Sequence, residues 1–382
     1  MSLFELTDVQ RDIRDLVRRF VDDEVAPRVV EYTRAHALPQ DLVDQAAELG
    51  IVGGVVPEEY GGAGLDHVTW AICVEEIARY CTALAAVVGY PSSLAGQGLL
   101  RWGTEEQKQR FLRPLASGEC LAAVGITEPD AGSDAAAMST TATADGDEFV
   151  LNGQKTWISN ATVGRWILVF ATIDRTAGRD GITAFLVDAG TPGLETRPIE
   201  HKLSAWASDT GDVFLDDVRV PADRVLGTVG GGWEILLASV GAGRIHVAAR
   251  SVGMAQGCLE LATAYASERV AFGRSIGRFQ HVQGMLAEMA LATESARLLV
   301  WRAAEELDRD PDAGPYWPSL AKWHASRAAV QAAHDAVQIH GAYGLSDEYH
   351  VARHYRDAKM QEIVDGTSEI QQNIVARHLL TT

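Results

Sequence analysis

Residues Glu362–Gln372, EIVDGTSEIQQ, place a carboxylate directly before a glycine and a Thr-Ser pair, at what reads as the start of a helix. Two local chemistries fit. As a turn, Asp365-Gly366 suits a tight bend because glycine accepts positive φ, and an acid beside a helix N-terminus is favoured by the dipole. Thr367 or Ser368 then caps the helix, with Gln371 completing a capping box three residues after Ser368. As a site, the rigid turn holds the carboxylate where it can take a proton from a bound molecule. The eleven residues alone favour the turn. Other reactive patterns are missing: there is no G-x-S-x-G elbow, no G-x-x-x-x-G-K-[ST] loop, and no G-x-G-x-x-G after a strand. His350 and His354 have the i, i+4 spacing of metal ligands, but nothing nearby supplies H-E-x-x-H logic. They read as exposed helix histidines, and no metal is expected.

The elements that must position such a turn fall into three textures. From Thr7 the chain has helical spacing at Val9, Ile13, Leu16, Val17 and Phe20, opened by a Thr7/Gln10 capping box. Further helices are predicted near 40–49, 66–89 and 104–116, the last opened by Thr104 and Gln107. Short β-rich runs separated by Asp-Gly, Asn-Gly and glycine-rich turns follow, among them GQKTWIS, RWILVFATID and DVFLDDVRVP. With no helix-length connections between them, they predict a compact antiparallel sheet or barrel. From Gly230 onward five helical stretches are predicted, at 232–268, 280–308, 315–340, 347–364 and 367–380. Their broad apolar and alanine-rich faces suit a bundle and an oligomer. The fold class is mainly α with a central β domain, divided as 1–118, 119–229 and 230–382.

Composition narrows the partners. The 382 residues are 47% apolar and 22% charged, an ordinary globular balance, and the formal charge of −19 argues against sequence-independent nucleic-acid binding. No uninterrupted apolar run long enough to span a bilayer is found, and MSLFELTDVQ lacks a signal-peptide layout, so no membrane and a cytoplasmic location are the expectation. The four cysteines form no C-x-x-C pair and read as small core residues in a reducing compartment.

The stretches GITEPDAGSD (125–134), NGQKTWISNA (152–161), ERVAFGRSIGRFQHVQ, QIHGAYGL and IVDGTSEIQ occur in an order that resembles the acyl-CoA dehydrogenase family over nearly the whole chain. The resemblance implies an N-terminal helical domain, a middle β-barrel-like domain and a C-terminal four-helix bundle, assembled as a homotetramer with one FAD per subunit. It further implies that Trp157 packs on the flavin ring, Ser159 hydrogen-bonds near its N5, Thr127 serves the pyrimidine edge and Ser133 the pyrophosphate. A second half-site from a neighbouring subunit would use Arg269, Phe272, Gln280, Gln338 and Gly341, and Thr367 and Glu369 match positions at the adenylate. Guanidinium suits phosphate oxygens, and glycine permits close backbone approach. Ser159 stands where threonine is commoner, and Ala342 where a second glycine is frequent.

In this family the acid before Gly-Thr is the base for a substrate α-proton, and Arg244 belongs to the same constellation. The usual base is glutamate; Asp365 is one methylene shorter, about 1.5 Å of reach. A compensating shift of substrate or helix, a different chemistry such as that of nitroalkane oxidases, and loss of activity all stay open. Another branch carries its base just before the arginine matching Arg244, where this chain has Gly243. Glu362 reads as a packing or solvent-facing residue. Gly241, Ala242 and Gly243 leave space, while Tyr90 and Pro91 either limit the acyl pocket or serve the core. Ser204 and the displaced Trp206 alter a loop that abuts flavin and substrate in the family. The implied activity is dehydrogenation of an acyl-CoA, or of an acyl carrier protein thioester, with an electron-transfer flavoprotein as acceptor. The alternatives are a flavin-dependent oxidase or monooxygenase, or a non-catalytic acyl- or flavin-binding scaffold.

Overall fold

A computed structural model describes residues 5–37 and 40–381. Thr7 and Thr104 both form the reciprocal capping boxes their sequences predict, with Gln10 and Gln107. The first helical layer comprises α1 (Asp8–Phe20), α2 (Val29–Ala35), α3 (Gln40–Glu48), α4 (His67–Ala78), α5 (Thr82–Gly89), α6 (Leu94–Trp102), α7 (Glu105–Gln107) and α8 (Arg113–Ala116). The predicted 66–89 helix is thus two: the chain breaks after Ala78 and Cys81 recaps α5, its sulfur accepting the Leu84 N–H at 3.4 Å.

The β region follows as β1 (Ala122–Gly125), β2 (Thr141–Asp145), β3 (Glu148–Ser159), β4 (Trp166–Thr172), β5 (Ile182–Asp188), β6 (Leu194–Pro198), β7 (Thr210–Pro221) and β8 (Val225–Leu226). The path β6-β7-β3-β2-β4-β5-β8 is largely antiparallel, with β1 added in parallel to β4. β6 and β8 end that path without pairing to each other among the described residues, so the sheet wraps like a barrel without closing. β4 is buried along its whole length because β1 and β5 flank it. β3 has a register break against β7 between Lys155 and Ile158, and Trp157 lies inside it at φ 60°.

The last layer is α9 (Gly232–Glu268), the β9 (Val270–Ala271) and β10 (Arg274–Ser275) hairpin, α10 (Gln280–Arg309), α11 (Tyr316–His340), α12 (His350–Gln361) and α13 (Ser368–Thr381). The predicted 347–364 helix ends at Gln361, leaving 362–367 as the turn that carries Asp365. Two stretches, Thr82–Trp102 and Gly232–Glu268, are apolar and long enough to cross a membrane by composition, although the sequence reading found none. Their most apolar windows are 83% and 78% buried inside the protein, which marks them as core helices. Alanines of α11 pack on Met254, Ala255, Cys258 and Ala262 of α9, and the small side chains let the two helices approach closely.

Candidate active site

Asp365 has φ 52° and Gly366 φ 93°, so the turn runs through two left-handed residues. Aspartate tolerates that region better than most side chains. Three bonds hold it: Lys322 Nζ donates to the Gly366 carbonyl at 2.8 Å, and Gln371 Nε2 donates to the carbonyls of Gly366 at 2.8 Å and Asp365 at 3.1 Å. Gln371 therefore supports the turn from below and does not close the expected box with Ser368. The cap is Thr367, whose hydroxyl accepts the Ile370 N–H at 3.4 Å. Glu362 is engaged with Lys359 at 2.7 Å, away from Asp365.

The Asp365 carboxylate lies against α9 at Gly243. A methyl group built there would stand 2.5 Å from Asp365 Oδ2 and 3.2 Å from Leu94 Cδ2. The position where another branch carries its base is thus the space this carboxylate occupies. Asp365 is surrounded by protein yet keeps a half-open face. Burial raises its pKa above the ordinary aspartate range, opposed by the charges of Arg250, Lys322 and Arg244. Arg244 is itself pushed down to about 10 and Lys322 to about 8 by burial, with Asp365 pulling both back up. Three buried cations thus surround one carboxylate, and two of them, Arg250 and Lys322, were not marked by any sequence motif. Tyr90, 8% exposed, belongs to the same apolar core cluster as Leu94 and Leu99, the second of its two sequence readings, and burial raises its hydroxyl to about 12 with Ser159 and Asp365 acting on it.

Trp157, at φ 60° and 59% exposed, presents a large apolar ring from β3. For so bulky a side chain that region is strained, and the ring is left uncovered. Two residues on, Ser159 is half-buried at the end of β3 and reaches Tyr90. Thr127 lies alongside, its carbonyl accepting the Thr156 N–H at 2.9 Å. Beneath this loop Glu128 accepts bonds from Lys155 Nζ at 2.7 Å, the Thr140 N–H at 2.9 Å and the Ser139 hydroxyl at 2.7 Å. These contacts hold Glu128 down at about 2 against its own burial, while burial draws Lys155 down to about 8. Ser133 is exposed on the same loop.

The remaining expected residues are not brought to this cluster within one chain. Phe272 tips the β9–β10 hairpin at φ 52° and is 94% exposed; Arg269, Gln280, Gln338 and Gly341 are also exposed. Gly341 has φ 61° and ψ −138°, with nothing within 4 Å of a built methyl, so its backbone and not crowding calls for glycine. Thr367 is half-buried and Glu369 exposed at the start of α13. Such a surface set fits a half-site completed by a second subunit. One expectation is corrected. His354 is fully buried and His350 is largely enclosed against Tyr80, so neither is an exposed histidine, and burial holds the His350 ring near 4. No metal-holding group occurs among the described residues. Trp206 stacks on His36 with centroids 5.0 Å apart and lies under Arg356, while the Ala205 N–H donates to Asp357 at 2.7 Å. The altered loop is therefore clamped between the helical layers.

The uncovered Trp157 ring, the Ser159 hydroxyl two residues on and the enclosed Asp365 carboxylate mark the candidate active site. The comparisons agree on its family. The acyl-CoA dehydrogenase N-terminal, middle and C-terminal domains match residues 7–119, 123–218 and 230–380. The chain belongs to the acyl-CoA dehydrogenase family, an oxidoreductase family. It is 42% identical over 378 residues to the mitochondrial short-chain specific acyl-CoA dehydrogenase of Bos taurus, covering 98% of this chain and 91% of that one. Butyryl-CoA dehydrogenase from Megasphaera elsdenii superposes with a TM-score of 0.95 at 38% identity, with 99% of each chain covered. Glutaryl-CoA dehydrogenase from Mycobacterium smegmatis in complex with FADH2 gives 0.93 at 32%, covering 99% of this chain and 96% of that one. The prolyl acyl carrier protein oxidase AnaB gives 0.94 at 32%, covering 98% and 100%.

Proposed function

We propose that the protein binds FAD and oxidises a short acyl thioester between its α and β carbons, with Asp365 as the α-proton base. The observation that carries this reading is the Asp365 carboxylate, held on a left-handed turn and seated over Gly243. Trp157, Ser159 and Thr127 would hold the flavin ring, Ser133 its pyrophosphate, and Arg269, Phe272, Gln280, Gln338 and Gly341 of a second subunit the rest, with Thr367 and Glu369 near the adenylate. The flavin, when bound, supplies the acceptor for the hydrogen that leaves the β carbon with its electron pair. Asp365 takes the α-proton. Its burial raises its affinity for that proton, opposed by the charges of Arg250, Lys322 and Arg244. The Asp365 N–H would donate to the thioester oxygen as negative charge develops. The short-chain and butyryl relatives support a short acyl group carried by CoA.

A homotetramer is part of the same reading, supported by the exposed Phe272, Leu291, Leu345 and Leu380 in the C-terminal layer. An electron-transfer flavoprotein is the proposed acceptor, and the cytoplasm the proposed location. The Asp base and the likeness to a carrier-protein oxidase support a second reading, oxidation of a carrier-bound thioester with oxygen as acceptor. Anaerobic titration of the purified flavoprotein with butyryl-, isobutyryl- and octanoyl-CoA tests the proposal: loss of the oxidised flavin absorbance with a short thioester is expected. No bleaching with any CoA ester would overturn it. Rapid reoxidation in air with peroxide release would favour the second reading.

A further inference from the structure

The stretch KLSAWASDT, residues 202–210, lies between the end of β3 that carries Trp157 and Ser159 and the helix that leads to Asp365. At one end of this loop, Thr210 pairs with Ser159 across β7 and β3. Beside it, Asp209 fastens the turn that follows Ser159: its carbonyl accepts the Asn160 N–H at 3.2 Å, and its carboxylate accepts the Thr162 N–H at 2.9 Å and the Thr162 hydroxyl at 2.7 Å. In the middle, the Ala205 N–H donates to Asp357 of α12 at 2.7 Å, and the two residues are buried. Asp357 lies two helical turns before Asp365, and α12 ends at Gln361, whose Oε1 accepts Arg250 Nη2 of α9 at 3.1 Å. A contiguous run of bonds therefore joins the end of β3 to the helix that delivers Asp365 to its seat against α9.

The loop is held in place by specific contacts. Ala205 has φ 52°, a left-handed conformation that a residue with a Cβ adopts only where its surroundings over-determine it. Lys202 Nζ supplies part of that constraint, donating to the carbonyls of Ala205 at 3.2 Å and Ser208 at 2.6 Å and to Thr210 Oγ1 at 2.9 Å. Trp206 is gripped on two sides, by the His36 ring at the end of α2 and by the Arg356 guanidinium of α12, 4.2 Å from the indole centre. Its indole N–H donates to the Lys202 carbonyl at 2.7 Å. A small cavity lies behind the loop, lined in part by Ala205, Trp206, Cys81 and Asp357, so packing on that side does not fix its position. An aspartate base has about 1.5 Å less reach than a glutamate, which leaves it less tolerant of any change in that spacing.

Resting on Asp365 as the α-proton base, we propose that loop 202–210 is a spacer that sets the gap between the Ser159 end of β3 and the Asp365 carboxylate, with Trp206 as its positioning residue. Trp206 touches no substrate and takes no proton; it acts through Arg356 and α12.

Two measurements test the spacer. Hydrogen exchange of the holoenzyme needs no substrate: Trp206→Ala should speed amide exchange across residues 357–367 by about tenfold or more and leave α9 unchanged. Stopped-flow flavin reduction by saturating butyryl-CoA should slow by about tenfold or more in Trp206→Ala with little change in KM, since misplacing a reacting group by about 1 Å costs on the order of 100-fold. Added to Asp365→Glu, the same substitution should cost less than about threefold, because the extra methylene restores reach. A merely structural role for Trp206 would slow both backgrounds alike. An equal loss in the two backgrounds, or unchanged exchange across 357–367, overturns the spacer and leaves Asp365 as the base. Failure of butyryl-CoA to bleach the wild-type flavin overturns the dehydrogenase reading instead, and the exchange measurement still decides whether the loop holds the turn. Arg356→Met removes the same stack from the α12 side, is expected to give the same pattern, and decides the matter if Trp206→Ala does not fold.

Discussion

Replacing Gly243 with alanine adds one methyl group against the carboxylate that does the proposed chemistry. The added carbon would stand 2.5 Å from Asp365 Oδ2, where ordinary contact begins near 3.4 Å. Something must give by about 1 Å. The backbone of α9 is pinned there by Leu94 on one side and by the buried neighbours Ala242, Ile245 and Val247, so the carboxylate is the part that moves. Misplacement of a reacting group on that scale costs on the order of 100-fold in rate. Overpacking should cost about 1–3 kcal/mol of stability, visible as a modest fall in Tm. The assay is stopped-flow bleaching of the bound flavin by saturating butyryl-CoA without oxygen, with flavin content measured in the same sample. A Gly243→Ala protein that keeps its flavin and reduces it within threefold of the wild-type rate would refute the placement of Asp365 against α9.

Other consequences follow from the same geometry. Asp365 acts ionised and burial raises its pKa, so flavin reduction should fall on the acid side at a pH above the ordinary aspartate range; a pH–rate profile of the reductive step checks this. Lys322→Met removes a cation that lowers the Asp365 pKa and frees the Gly366 carbonyl, so that acid limb should move to higher pH and the rate should drop. Glu128→Gln leaves Lys155 buried without its countercharge and should cost about 3–5 kcal/mol, with weakened FAD retention measurable by ultrafiltration. The depressed Glu128 pKa means its ionic contribution is present above the ordinary glutamate value and is lost as pH falls through about 2.

The helical, β, helical order was legible because capping boxes and periodicity are local: Thr7 with Gln10 and Thr104 with Gln107 form as written. The candidate site residues were named by motif resemblance; within one chain Arg244 lies in the field of Asp365, and Trp157 and Ser159 share the end of β3. What periodicity cannot report is which neighbour covers a helix face. His350 and His354 read as exposed for that reason, although α9 and the Tyr80 region enclose them. Arg250 and Lys322 look like surface charges in alanine-rich helices, yet both turn inward at the base. The Glu128–Lys155 pair spans 27 residues and has no local signature. Phe272 and Gly341 lie exposed in the C-terminal layer, and no local signal in the sequence reports what covers them.

The central claim is that Asp365 removes the α-proton, and single-turnover bleaching of the bound flavin by a saturating short acyl-CoA tests it most directly. Asp365→Asn keeps the size and much of the hydrogen bonding while removing the base, so the rate should fall by about 10³-fold or more with flavin content unchanged. Bleaching by Asp365→Asn within a few-fold of the wild-type rate would contradict the account.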